Sequence, residues 1–255
     1  MPAEEGHGDV NERIVIITGA SPLLTSVVDR IPGDAILLAV DGGLDHALAA
    51  GLEPSGLIGD LDSISEEGLA WAARHATIDR HPADKEQTDT ELALAFAAAM
   101  DPLHVTLIGG GDRLDHSFAA IGALGAPGLT SIPTIDGWWG DQHLEVLHGP
   151  GKTKLRLVPG STMSLLALHG RCSKVSITGA RWALDKVTLE PMVGRGISNE
   201  VPADVADGEA DDDNAEDGAD DGAHGAGFVD IDVSISAGVL TIFDVPALDD
   251  DGNGS

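Results

Sequence analysis

Four short segments in the first half of this 255-residue chain carry residue types suited to phosphate and cation chemistry. Gly59-Asp60-Leu61-Asp62-Ser63 follows the apolar run GLI. Carboxylates at i and i+2 of an extended segment share one side, so this pair can chelate a hard divalent cation, which prefers carboxylate and water oxygens. A turn followed by a helix cap is the plainer alternative. Asp41-Gly42-Gly43 follows AILLAV; the glycines permit positive φ or close approach to a ligand, and Asp41 either caps the next helix or enters a site. Lys85-Glu86-Gln87-Thr88-Asp89 precedes an alanine-rich stretch, where Asp89 is also a good capping residue. Gly109-Gly110-Gly111-Asp112-Arg113-Leu114-Asp115-His116 joins a strand-like run to a helix-like one. Backbone N–H groups at such a helix start attract phosphate, and an arginine fork grips phosphate oxygens in a bidentate way. The segment is neither a Walker loop nor a dinucleotide fingerprint, since GxxxxGK[ST] and GxGxxG are both missing from it. Each segment alone is weak, but recurrence at successive strand ends is hard to explain as capping.

The elements that must position these residues alternate. IVIIT, AILLAV and HVTLI are continuously apolar, as strands buried on both faces are. Between and after them, residues 90–100 and 115–124 are alanine-rich helix formers. Strand, helix, strand in repetition predicts an α/β layer with a parallel sheet, whose ligands bind beyond the carboxyl ends of the strands. After Gly149-Pro150-Gly151 the pattern changes. KLRLV, SLLAL, KVSIT, WALDKVTL, VDIDVSI and GVLTIFDV are short, partly alternating runs split by turn residues. This reading gives a flexible tail over 1–12, an α/β catalytic domain over 13–148 and an all-β, sandwich-like domain over 149–248. A second flexible tail covers 249–255.

The formal charge of −29 is largely local: ten carboxylates and no Lys or Arg lie between Asp204 and Asp221. Such a segment repels itself and stays solvated, so a disordered acidic insertion is expected over about 203–226. Fourteen Lys plus Arg against 43 Asp plus Glu argues against nucleic acid as a partner. Apolar runs fall short of the roughly 20 residues that span a bilayer, and MPAEEGHGDVNER lacks the basic and apolar regions of a signal peptide. With a single cysteine, Cys172, a disulfide framework is not implied. The expectation is a cytoplasmic protein that does not engage a membrane.

In order along the chain, DGGLDHALAAGLEPSGLIGDLDSIS, KEQTD and GGGDRLDH resemble the signature of the thiamine diphosphokinase (thiamine pyrophosphokinase) family. In the second half, Gly179-Ala180-Arg181-Trp182-Ala183-Leu184 and Gly196-Ile197-Ser198-Asn199-Glu200 are similar to that family's G-L-[KR]-[YW]-x-L and G-x-S-N-E. The likeness spans about residues 14–245. It departs at Glu86, where relatives often carry Asp, and at Asp112, where Gly is usual.

This resemblance implies an α/β catalytic domain, a β-sandwich-like domain and a homodimer whose thiamine cleft is shared between subunits. It also implies transfer of a pyrophosphoryl group from ATP to thiamine with Mg²⁺, giving thiamine diphosphate and AMP. On that footing Asp60, Asp62 and Asp89 bind the metal, and Asp41 and Asp115 orient the site. Lys85, Thr88, Gly110, Gly111 and Arg113 meet the ATP phosphates; Trp182, Ser198 and Asn199 meet thiamine. Rival expectations are a hydroxymethylpterin acceptor, a non-catalytic nucleotide or thiamine sensor, and a partner surface formed by Trp138 and Trp139. The residues leave the general base and the adenine contacts undetermined.

Overall fold

The computed structural model describes residues 13–111, 113–203 and 227–245. The two tails, Asp112 and the acidic insertion lie outside the described residues. In the first half, the strands are β1 (Arg13–Ile17), β2 (Ile36–Val40), β3 (Gly56–Gly59), β4 (Thr77–Arg80), β5 (His104–Gly109) and β6 (Thr134–Trp139). They are mutually parallel in the order β6-β5-β1-β2-β3-β4. Helices α1 (Thr25–Val28), α2 (Gly43–Ala49), α3 (Glu66–His75), α4 (Asp89–Ala98) and α5 (Leu114–Ala123) connect them. Ile14 and Ile16 face one apolar cluster with Leu94 and Leu107, while Val15 and Ile17 face another with Val27 and Ile108. This two-sided burial explains why the strand sequences are apolar throughout.

Gly140, at φ 63°, turns the chain after Trp139 into β7 (Gln142–His148), which runs antiparallel to β6. The rest of the chain forms β8 (Gly151–Leu157), β9 (Thr162–Leu166), β10 (Cys172–Thr178), β11 (Leu184–Leu189), β12 (Gly196–Glu200), β13 (Val229–Ile235) and β14 (Val239–Val245). The large sheet does not stop near residue 149. It continues as β6-β7-β14-β9-β12, making ten strands, and a four-stranded sheet β11-β10-β13-β8 packs on its far end. Met163, Leu165, Leu240 and Ile242 of the large sheet meet Val175, Ile177, Ile231 and Val233 of the small one. One sheet therefore serves both the α/β half and the sandwich.

Trp138 and Trp139 do not form a joint surface. As neighbours on a strand they point to opposite faces. Trp138 packs beside Val27 and Ile108, under the Arg30 guanidinium, and Trp139 packs in the larger cluster against Gly109. Among the described residues, no helix is long and apolar enough to cross a membrane.

Candidate active site

Strand order reverses at β1, which has β2 on one side and β5 on the other, and such a switch point opens a crevice at the carboxyl ends of the strands. The loops after β1 and β5 meet there. A Cβ on Gly111, at φ 84°, would lie 2.3 Å from the Ala20 carbonyl oxygen, so only glycine allows this approach. Gly110, at φ 137°, adds the second bend of the loop.

Two strands away, the acidic residues converge. One carboxylate oxygen from each of Asp41, Asp60 and Asp89 lies within 4.8 Å of the others. Asp41 follows β2, Asp60 follows β3, and Asp89 opens α4. The backbone is bent to achieve this: Asp41 itself has φ 46° and Leu61 has φ 68°. A side chain on Gly59 would overlap the Asp41 carboxylate at 1.9 Å, so that glycine makes the room. The Leu61 N–H donates to Asp41 Oδ1 at 3.0 Å and the Asp62 N–H to Asp60 Oδ1 at 3.1 Å. Behind them, Asp45 accepts from the Ser65 N–H at 2.7 Å and hydroxyl at 2.6 Å, and Ser63 Oγ accepts from the Gly42 N–H at 3.2 Å. These bonds tie the loop after β3 to the start of α2. Asp45 and Ser65 were not singled out in the sequence, and Ser63 was named there without a role, though their polar spacing inside DGGLDH and GDLDSIS was visible.

Burial pushes the Asp41 carboxyl up to about 6; the charges of Asp89, Asp60 and Asp62 add to the rise, and the Leu61 N–H opposes it. Asp62 is also raised, chiefly by Asp60. The cation among them is Lys85, 2.7 Å from Asp89 Oδ1 and donating to the Pro82 carbonyl at 3.0 Å. Burial alone would lower its pKa, but Asp89, Asp60 and Asp41 together raise it, so it stays charged. Several converging carboxylates against one ammonium leave an excess of negative charge. The donor set is all carboxylate oxygen, which fits a hard cation such as Mg²⁺ and not a thiolate- or imidazole-seeking metal.

Three expected site residues have surroundings that their spacing did not show. Asp62 is exposed and stands outside the converging trio, which Asp41 completes. The pair itself stays together across the left-handed Leu61, since the Asp62 carboxyl lies against that of Asp60. The Thr88 hydroxyl caps α4, accepting from the Glu91 N–H at 3.2 Å and donating to Glu91 Oε2 at 2.9 Å. The amide of Asn199 is likewise engaged, with Oδ1 accepting from the Trp182 N–H at 3.0 Å and Nδ2 donating to the Trp182 carbonyl at 2.7 Å.

Arg113 precedes α5, and its fork closes on Asp115 with bonds of 3.0 and 2.6 Å. This fork holds the Asp115 carboxyl well below the usual carboxylate range. Both side chains are exposed, and the planar fork that closes on a carboxylate is the geometry that also suits phosphate oxygens. Leu114 (70% exposed) and Phe118 (65%) lie one turn apart on the same helix. Trp182 and Ser198 are also exposed, but they stand at the opposite end of the molecule, beside β12.

Residues 30–133 match the family model described as "Thiamin pyrophosphokinase, catalytic domain", and residues 152–207 match "Thiamin pyrophosphokinase, vitamin B1 binding domain". Together these cover more than half of the chain, in order. A curated relative, "Thiamine pyrophosphokinase" of Bacillus subtilis (strain 168), is 30% identical over 104 residues, 40% of this chain and 49% of the relative. The matched segment thus spans about half the length of that relative. Among solved structures, thiamine pyrophosphokinase from Bacillus subtilis aligns over 93% of this chain and 100% of its own, with a TM-score of 0.72 and 22% identity. Thiamin pyrophosphokinase from Candida albicans aligns over 92% and 89%, with a TM-score of 0.69 and 14% identity. These two structures share the fold with this chain.

Proposed function

Because the chain belongs to the thiamin pyrophosphokinase family, we propose that it transfers a pyrophosphoryl group from ATP to thiamine, at a site that two copies of the chain build together. In this reading the thiamine hydroxyl oxygen bonds to the β-phosphorus of ATP. The bond from that phosphorus to the oxygen bridging the α-phosphate breaks, AMP leaves, and the hydroxyl proton passes to a carboxylate or to water. Asp41, Asp60 and Asp89 hold Mg²⁺, which supplies charge neutralisation for the phosphate oxygens. Arg113 clamps the polyphosphate, Gly110 and Gly111 let it approach the backbone, and Asp115 holds the fork ready until it arrives. Lys85 keeps Asp89 oriented through their 2.7 Å ion pair. From the β2 end to the β5 loop is two strand spacings, about 10 Å, on the scale of a polyphosphate chain. Such transfers depend on positioning and charge stabilisation more than on covalent work by protein groups.

One observation carries the shared-site part. β2, which leads to Asp41, and β12, which carries Ser198 and Asn199, are seven strand spacings apart in one sheet, roughly 34 Å along it at about 4.8 Å each. A single thiamine cannot touch both places within one chain. A two-fold pair, with the Trp182 end of one copy over the Leu114–Phe118 helix of the other, brings them together twice and covers both exposed apolar patches. The division near residue 149 is then one of labour: phosphate chemistry before it, acceptor binding after it.

AMP release from ATP and Mg²⁺ tests the reading, with thiamine in one arm and a hydroxymethylpterin in the other. Turnover with thiamine alone is expected. Turnover with the pterin alone replaces the acceptor, and turnover with neither, alongside measurable nucleotide binding, turns the reading into that of a sensor.

A further inference from the structure

Trp182 sits in the turn before β11 and is 50% exposed, an unusual place for a large aromatic unless something holds it. Two consecutive residues of β12 hold it and its neighbour. Asn199, only 5% exposed, grips both polar atoms of the Trp182 main chain. The Arg181 N–H donates to the Glu200 carbonyl at 2.9 Å, and the Arg181 guanidinium is ion-paired with the Glu200 carboxylate. That guanidinium lies 4.9 Å from the centre of the Trp182 ring, over it. A register shift between Gly196 and Asn199, with Ser198 at φ 56°, turns Asn199 inward and leaves Ser198 exposed.

Two consequences follow from this lattice. An exposed Trp on a free turn loses backbone and rotamer entropy when a ligand orders it, which weakens binding; a turn already pinned through its peptide group avoids that loss. Arg181 covers one face of the indole and leaves the other for a flat ring. An unpaired guanidinium there would repel a cationic ring, and the Glu200 carboxylate cancels its charge.

We propose that Asn199 and Glu200 are positioning residues for the acceptor: Asn199 fixes the Trp182 main chain, and Glu200 neutralises Arg181, so that the indole offers a rigid, uncharged-backed face to a cationic heteroaromatic ring. This rests on the reading of thiamine as acceptor.

The test pairs steady-state kinetics with fluorine NMR of protein labelled with 5-fluorotryptophan, the Trp182 resonance being assigned by Trp182→Phe. Asn199→Asp keeps the acceptor oxygens but loses the amide donor. It is expected to broaden or shift the Trp182 resonance and raise KM for thiamine about tenfold, with kcat and KM for ATP within about twofold. An unchanged resonance with unchanged KM overturns the role of Asn199. Glu200→Gln, at an exposed position, probes the second role without threatening the fold. KM for thiamine should rise about threefold at low ionic strength, and the difference should shrink at high salt; no change at either salt overturns it. Trp182→Ala separates this proposal from the acceptor reading. If it leaves KM for thiamine untouched, the acceptor seat falls whatever Asn199→Asp does to the resonance. If it raises KM while Asn199→Asp behaves as wild type, the seat stands and the positioning role falls.

Discussion

Two half-buried carboxylates on the same sheet, Asp41 and Asp136, are treated in opposite ways. Asp41 is pushed up to about 6 by burial and by three neighbouring aspartates. Asp136, on β6, would also be raised by burial, but hydrogen bonds from His104 and His143 outweigh that and hold it well below the usual range. Its Oδ2 is 2.9 Å from His104 Nε2 and 3.4 Å from His143 Nε2. The first group sets three converging carboxylates against one ammonium, Lys85, so most of its charge is unmatched, and its backbone is left-handed at Asp41 and Leu61. The second is matched inside the chain. Excess charge held in place by strained backbone is the arrangement a hard cation fits, whereas matched charge marks a structural joint, here between the parallel strands and the hairpin strand β7.

The comparison is broken most severely by removing a member of the unmatched trio. Asp60→Asn should reduce turnover by about three orders of magnitude or more, on the scale of losing a preorganised charge-stabilising group, while the chain folds as before. The same variant made at Asp136 should do the reverse. Asp136→Asn is expected to cost about 2 kcal/mol of stability by chemical denaturation and to leave kcat within a fewfold of wild type. Equal activity losses in both variants would mean the two carboxylates do not differ in kind.

The pH dependence sharpens the same contrast. Asp41 has a folded pKa above its unfolded value, so its favourable contribution is complete below about 4 and is lost as pH rises through about 6. In chelator, wild-type stability should therefore fall across that window, and Asp41→Asn should flatten the curve. Millimolar Mg²⁺ should restore wild type and not the variant. Asp136 has a folded pKa below its unfolded value, so its contribution is present above about 4 and disappears as pH falls further. The gap between wild type and Asp136→Asn should close in acid. A wild-type curve identical with and without chelator would remove the cation from the account of Asp41.

The smallest effect belongs to Thr88. Thr88→Ala removes a cap and should cost about 1 kcal/mol, with KM for ATP unchanged. A selective rise in that KM would return Thr88 to the phosphates.

Much of this was readable in advance. Continuous apolar runs identified the parallel strands because burial on both faces leaves no alternation, and the carboxylates that converge were all noticed. What spacing left out were features that depend on backbone torsions and local hydrogen bonds. Asp62 was paired with Asp60, and its carboxyl does lie against Asp60, but spacing gave no sign of the positive φ at Leu61 that turns its N–H to Asp41. Thr88 and Asn199 are polar residues in suggestive motifs whose hydrogen bonds are consumed locally, by Glu91 and by the Trp182 main chain. Spacing cannot reveal a partner 17 residues away in sequence. Nor did the change of pattern near residue 149 reveal that one sheet passes through it, because antiparallel strands added to an edge alternate as they would in a separate domain.

The central claim is that the unmatched acidic trio of one copy works with the Trp182 seat of another. Asp60→Asn and Trp182→Ala should each be nearly inactive as pure proteins, the second at low thiamine. In a mixed two-fold pair one site carries both defects and the other carries neither. After exchange of differently tagged subunits, activity should return to about one quarter of wild type, the statistical limit for random pairing in an isologous dimer. If tagged heterodimers form and no activity returns, the site is built within one chain and the account is wrong.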